Sequence, residues 1–242
     1  TALRQGRIRA QGAFSHPIMA GTFGAAFFPL YWGLWALEGG KNRAFALIGG
    51  VSAVVITWAS SSSGPVLTLV AGLFGIALWP YRSHLGTLFK LFLLALLGLH
   101  IVMDAPVWHL ISRVDVVGGS TGWHRYYLID QAIARFREWM LFGVRTTGHW
   151  GWGLNDVTNM FIYQGVNGGV GALVLFVGLV GAGFRTVGAA MRGPTCSPSD
   201  ERFYFAWGVV LFAHVVSFFG VTYFGQMNYF WNMTLGVIAT LP

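Results

Sequence analysis

The sequence predicts an all-α, polytopic transmembrane helical bundle with a long external loop that carries an interfacial amphipathic helix. Three observations carry that expectation. Charged residues make up 10% of the 242 positions, against about 25% in soluble domains. The apolar residues form long continuous runs, not the alternating segments of a membrane barrel. Thirty-four glycines and eleven tryptophans fit membrane helices and their interfaces.

The elements follow in order. Residues 1–16, TALRQGRIRAQGAFSH, form a polar arm holding Arg4, Arg7 and Arg9. Residues 17–37 are long enough to span a bilayer. After the short loop EGGKNR come apolar runs at 44–59, which ends in SSSSGP, and at 65–80. YRSHLGTLFK reads as a basic loop leading into a fourth span over 91–103. A loop over 104–155 follows, then spans at 158–183 and 203–224, and a last partial span at 227–242. The whole of 1–242 reads as one transmembrane domain. Because the chain begins TALRQGR, without Met or signal peptide, it is expected to be the C-terminal part of a larger domain.

Parity places the arm and the 104–155 loop on one side. The opposite side holds Lys41, Arg43, Arg82, Lys90, Arg185, Arg192 and Arg202 in short loops and is therefore cytoplasmic. The external side still carries Arg4, Arg7, Arg9, Arg113, Arg125, Arg135, Arg137 and Arg145. An anionic ligand or lipid headgroups would account for that excess. Nucleic acid is not the expected partner, because the basic residues lie between apolar runs. Within the spans only His100 and His214 are ionisable and internal, which argues against a proton relay. The single cysteine, Cys196, excludes an internal disulfide and a thiolate zinc cluster. No metal and no cofactor are expected. GTFG, GGVG and SSSSGP lack the Gly-Lys-Ser/Thr of a phosphate-binding loop.

Three segments carry chemistry. In 118–140, Ser120 or Thr121 can cap a helix starting near Gly122, with Ile129, Ala132, Ile133, Phe136 and Met140 on one face. Arg125 in its first turn opposes the helix dipole unless an anion lies beside it; lipid phosphate would serve equally. His124 beside it is either a substrate contact or a headgroup contact. In the arm, Arg9 precedes Gly12 and the first span, and its guanidinium can hold a phosphate bidentately. His16 before Pro17 reads as structural. In 149–173, Asp156 stands at the entry to a span with Thr158 and Asn159 within one turn. It can cap the next helix, the commoner role, or act as a general base. Gly168 and Gly171 are expected to permit close packing. Trp123, Trp139, Trp150 and Trp152 read as interfacial aromatics that can also stack on sugar rings.

These segments together resemble the O-antigen ligase/polymerase superfamily of bacterial membrane glycosyltransferases. RIRAQGAFSHPIMAGTF is similar to its first external arginine motif, GWHRYYLIDQAIARF to its second, and DVTNMFIYQGVNGGVGAL to its last. The resemblance covers nearly the whole chain, as the C-terminal half of such a protein. It implies an inner-membrane enzyme with a periplasmic active face. The donor would be a polyprenyl-diphosphate-linked oligosaccharide, the acceptor a glycan or lipid-glycan, in an environment of membrane lipids. Arg9 and Arg125 would bind the diphosphate, with Arg7, His124, His149, Thr158 and Asn159 around the substrate. The family's last motif begins His-Asn; here Asp156-Val157-Thr158-Asn159 stands instead. Asp156 or His149 would take the histidine's place, in a polymerase or a ligase. The alternative expectation is a polysaccharide or lipid transporter without catalytic activity.

Overall fold

The computed structural model describes residues 3–4, 6–37, 39–113 and 122–242. Among the described residues the chain is mostly helical, with loops between helices and one short antiparallel ladder, β1 (Leu3–Arg4) against β2 (Arg7–Ile8). The helices are α1 (Pro17–Ala36), α2 (Gly40–Ala59), α3 (Ser63–Ala77), α4 (Leu85–Val102), α5 (Gly122–Ala134), α6 (Phe136–Trp139), α7 (Met160–Ala190), α8 (Pro198–Phe218) and α9 (Gln226–Ala239). Among the described residues, three stretches are long and apolar enough to cross a membrane: Gly40–Ala59, Trp79–Val102 and Met160–Ala190.

Helix α1 is the hub, packing on α2, α3, α8 and α9. Its sequence explains the closeness. A methyl added at Gly24 would come within 2.7 Å of the Ala53 carbonyl on α2, and one at Gly33 within 2.5 Å of Ala206 on α8. Small residues let helix backbones approach closely. The main core joins Met19, Ala26 and Phe27 of α1 to Phe176 and Val180 of α7, to α8, and to Met227, Trp231 and Ile238 of α9. At its centre His214 is fully buried, its Nδ1 2.8 Å from the Tyr223 hydroxyl, with Thr234 Oγ1 3.4 Å from Nε2. Pairing a buried imidazole this way offsets its desolvation.

Several expectations are corrected. The segment read as the basic loop 81–90 is a 3-10 turn, Trp79–His84, followed by the start of α4, so Lys90 lies within a helix. His100 is exposed near the end of α4 and stacks on Trp108; it is not internal. No residue of α4 is buried. A helix apolar on every side and left largely uncovered by the described residues suits a hydrocarbon environment.

The amphipathic segment also differs. Its caps Ser120 and Thr121 lie outside the described residues. The helix breaks at Arg135 (φ −104°, ψ 25°) and resumes as α6. The face turned inward is His124, Leu128 and Ala132, packed with Trp139, Trp150, Leu154, Val157 and Val166. Ile133 and Phe136 point outward instead, 54% and 43% exposed. The segment carries two apolar stripes: Leu128, Ala132 and Trp139 enter the protein core, and Ile133 and Phe136 are left outside it.

Helix α7 is broken at Gly168 (φ −145°, ψ 17°) and Gly169 (φ +73°, ψ −174°). The 140–144 loop fills the break: Val170 N–H donates to Met140 O at 2.9 Å, and Val144 N–H to Val166 O at 2.7 Å. Gly171, expected to permit close packing, faces open space.

Candidate functional site

A cleft of about 750 Å³ opens at one end of the helices. The amino ends of α1, α3 and α7 and the carboxyl end of α8 converge on it. Amino ends favour negative charge. The cleft is lined by Arg9, His16, Ser62, Ser63, Gly64, Arg125, Asn155, Asp156, Thr158, Tyr163 and the 220–224 link, among others. Arg9, Arg125 and Asp156, the three residues the sequence puts forward first, therefore share one cavity although Arg9 lies more than a hundred positions before the other two.

Arg9 is set by the α2–α3 turn. Its Nε donates to Ser60 O at 3.0 Å and its Nη2 to Ser62 Oγ. Ala10 N–H donates to Ala59 O at 2.9 Å, fixing the arm on the end of α2. The other end of the arm is tied down by Gln226, whose side chain bridges Ala13 O and Ser15 N. Ser62 makes no side-chain cap bond to α3, so the first turn Ser63-Gly64-Pro65 meets the cleft with its amides uncapped by a side chain.

Arg125 is half-buried, and its Cζ lies 3.5 Å from where a methyl on Gly220 would sit, just past the end of α8. That answers the problem its position in α5 poses. A cation in the first turn of α5 opposes that helix, but here it rests on the negative end of α8.

His16 is the amino cap of α1, its Nδ1 accepting from Ile18 N–H at 3.1 Å. In the neutral ring this leaves the proton on Nε2, a donor and not a base. Desolvation and the nearby Arg9 push its pKa down, with Asp156 opposing, which keeps the ring neutral at pH 7.

Asp156 is exposed, and its backbone is anchored while its carboxyl group stands at the cleft. His124 Nε2 donates to Asp156 O at 3.2 Å, Thr222 Oγ1 donates to Val157 O, and Thr147 Oγ1 donates to Leu154 O. The capping role expected for Asp156 falls to Asn159, whose Oδ1 accepts from Phe161 N at 3.0 Å and Ile162 N at 3.2 Å. Asn159 thus acts on α7 rather than on a ligand. Thr158 Oγ1 lies buried in the cleft with no hydrogen-bond partner. An unmet hydroxyl costs about 1–3 kcal/mol, a cost a ligand oxygen would relieve.

The remaining candidates are placed elsewhere. His124 is buried and reaches the cleft only through the Asp156 carbonyl. His149 lies outside the cleft, its Nε2 2.7 Å from Glu138 Oε2. The side chain of Arg7 lies outside the described residues. Sequence reasoning missed Ser62, Ser63, Gly64, Tyr163 and Thr222. SSSSGP was set aside for lacking a nucleotide motif, yet it forms one wall. Only the fold, through Arg9, shows its place.

Outside the cleft lining, Glu138 clamps the 138–150 turn, accepting from His149, from Trp150 Nε1 at 2.9 Å and from Arg135 Nη1 at 3.0 Å. His149, then Trp150, hold its pKa at about 2 against an ordinary 4.5. The folded turn therefore binds this proton more weakly than the unfolded chain. Its contribution is complete above pH 4.5 and is lost as pH falls towards 2. Near-ultraviolet dichroism should show an acid transition in that window in the wild type, reduced or absent in Glu138→Gln.

Compared with known proteins, the chain matches no protein-family model and no curated sequence.

Proposed function

We propose that the chain is a membrane glycosyltransferase acting on the periplasmic face of a bacterial inner membrane. It would transfer or polymerise a polyprenyl-diphosphate-linked glycan in O-antigen, capsule or exopolysaccharide assembly. The observation that carries this reading is the convergence of Arg9, Arg125, the uncapped start of α3 and Asp156 on one cleft at the ends of apolar helices. A diphosphate on a lipid tail needs that combination: cationic forks and amides for the charge, and hydrocarbon within reach for the chain. The reading makes the bundle polytopic, the 104–155 segment external, and Ile133 and Phe136 of α5 and α6 its contacts with the membrane surface.

In the reaction, a hydroxyl oxygen of the acceptor attacks the anomeric carbon of the donor. The bond from that carbon to the diphosphate oxygen breaks, and its electron pair leaves with polyprenyl diphosphate. Arg9, Arg125 and the α3 amides stabilise the charge that develops there, in a site partly screened from water. The acceptor's proton passes to the carboxyl group of Asp156. His16, fixed as an Nε2–H donor, supplies a further hydrogen bond to a ligand oxygen.

Asp156→Asn tests the base. It keeps the shape and anchored backbone of the site but removes the proton acceptor. Turnover should fall about 10²–10⁴-fold with donor affinity held. Wild-type turnover in Asp156→Asn would remove Asp156 from the mechanism.

A further inference from the structure

On the outward side of α5, two indoles lie together in the open. Trp123 and Trp152 are near-parallel, with ring centroids 6.2 Å apart and planes 12° apart. They are 44% and 83% exposed. Tyr127, at 6.2 Å from Trp123, and His124, at 5.7 Å, extend the group towards the protein.

The backbone is arranged to present Trp152. It stands between Gly151 (φ +156°) and Gly153 (φ +77°), conformations that residues with side chains rarely adopt. A methyl on Gly151 would also strike the Tyr127 hydroxyl at 2.8 Å. The turn is thus pressed onto α5, and the indole is directed outward.

The same two supports carry the reacting groups. Trp123 is two residues before Arg125 on α5, and Trp152 is four before Asp156 on a turn that His124 ties back through the Asp156 carbonyl. From this geometry we infer that Trp123 and Trp152 form a binding platform for a sugar ring of the acceptor glycan, next to the residue that takes its hydroxyl proton. This rests on the transferase reading. A pyranose presents an apolar C–H face that stacks on an indole, while its hydroxyls remain free for polar groups. Asn155 and Asp156, both exposed, follow Trp152 within the same turn, three and four residues on.

The test uses the full chain purified in detergent and, as probe, the repeat-unit oligosaccharide released from the lipid-linked donor by mild acid. Isothermal titration should show binding to the wild type and an affinity about tenfold weaker for Trp152→Ala, the size of one lost aromatic stacking contact. Trp152→Phe should recover most of it. Equal affinity in wild type and Trp152→Ala overturns the platform. So does a Trp152→Ala protein that loses only its partition into phosphatidylglycerol vesicles, since the indole would then be a lipid contact. The readout is binding, not turnover. The platform can fail while the transferase reading stands, and it would bind the sugar even in a chain that performed no transfer.

Discussion

Arg125→Ala should abolish polymer formation while leaving a folded, inserted protein. Its guanidinium lines the cleft and rests on the carboxyl end of α8 beside Gly220. The contact with α8 stabilises the fold by about 0.3–1 kcal/mol, so thermal unfolding in detergent should shift only slightly. Losing one preorganised group that meets the leaving diphosphate should lower kcat about 10²–10³-fold. Arg125→Lys keeps the charge without the planar fork and should fall between. Arg9→Ala should lose activity too, with a larger cost in stability, because Arg9 also holds Ser60 and Ser62 of the α2–α3 turn. Full-length polymer from both alanine variants would remove the transferase reading.

Gly169→Ala should be the most damaging small change to the fold. At φ +73° a side chain is strained, and the added methyl would come within 2.1 Å of Leu141 O. The left-handed conformation costs about 1–2 kcal/mol and the overlap about 1–3 kcal/mol. The neighbour cannot yield cheaply, because it is the backbone that fills the break in α7 through the Val170–Met140 and Val144–Val166 bonds. Gly171→Ala, two residues on in regular helix and facing open space, should be neutral or gain up to about 1 kcal/mol. Unfolding curves of the two variants in detergent check the contrast; similar curves would mean the break does not fix the loop.

These cases show what the sequence makes legible. The long helices follow from apolar run length, a property of single stretches; counting spans predicts one side for the arm and the 104–155 segment, and in the fold Arg9 and Arg125 line one cleft. The α7 break was not legible: Gly168, Gly169 and Gly171 look alike until the 140–144 loop is seen against one of them. Asp156 and Asn159 are both good caps, and local rules cannot choose between them; the hydrogen bonds to Asn159 do. The wall built by Ser62, Ser63 and Gly64 carries neither charge nor motif. It enters the site only through its contact with Arg9, more than fifty positions earlier.

In the proposed reaction this cleft makes a glycosidic bond at the expense of a lipid diphosphate. The most direct measurement places the purified chain in sealed vesicles with the polyprenyl-diphosphate-linked repeat unit and follows both products. Release of free polyprenyl diphosphate in step with a new sugar–sugar linkage, both lost in Arg125→Ala, is the expected result. Movement of the intact lipid-linked glycan across the vesicle membrane, with its diphosphate bond unbroken, would contradict it.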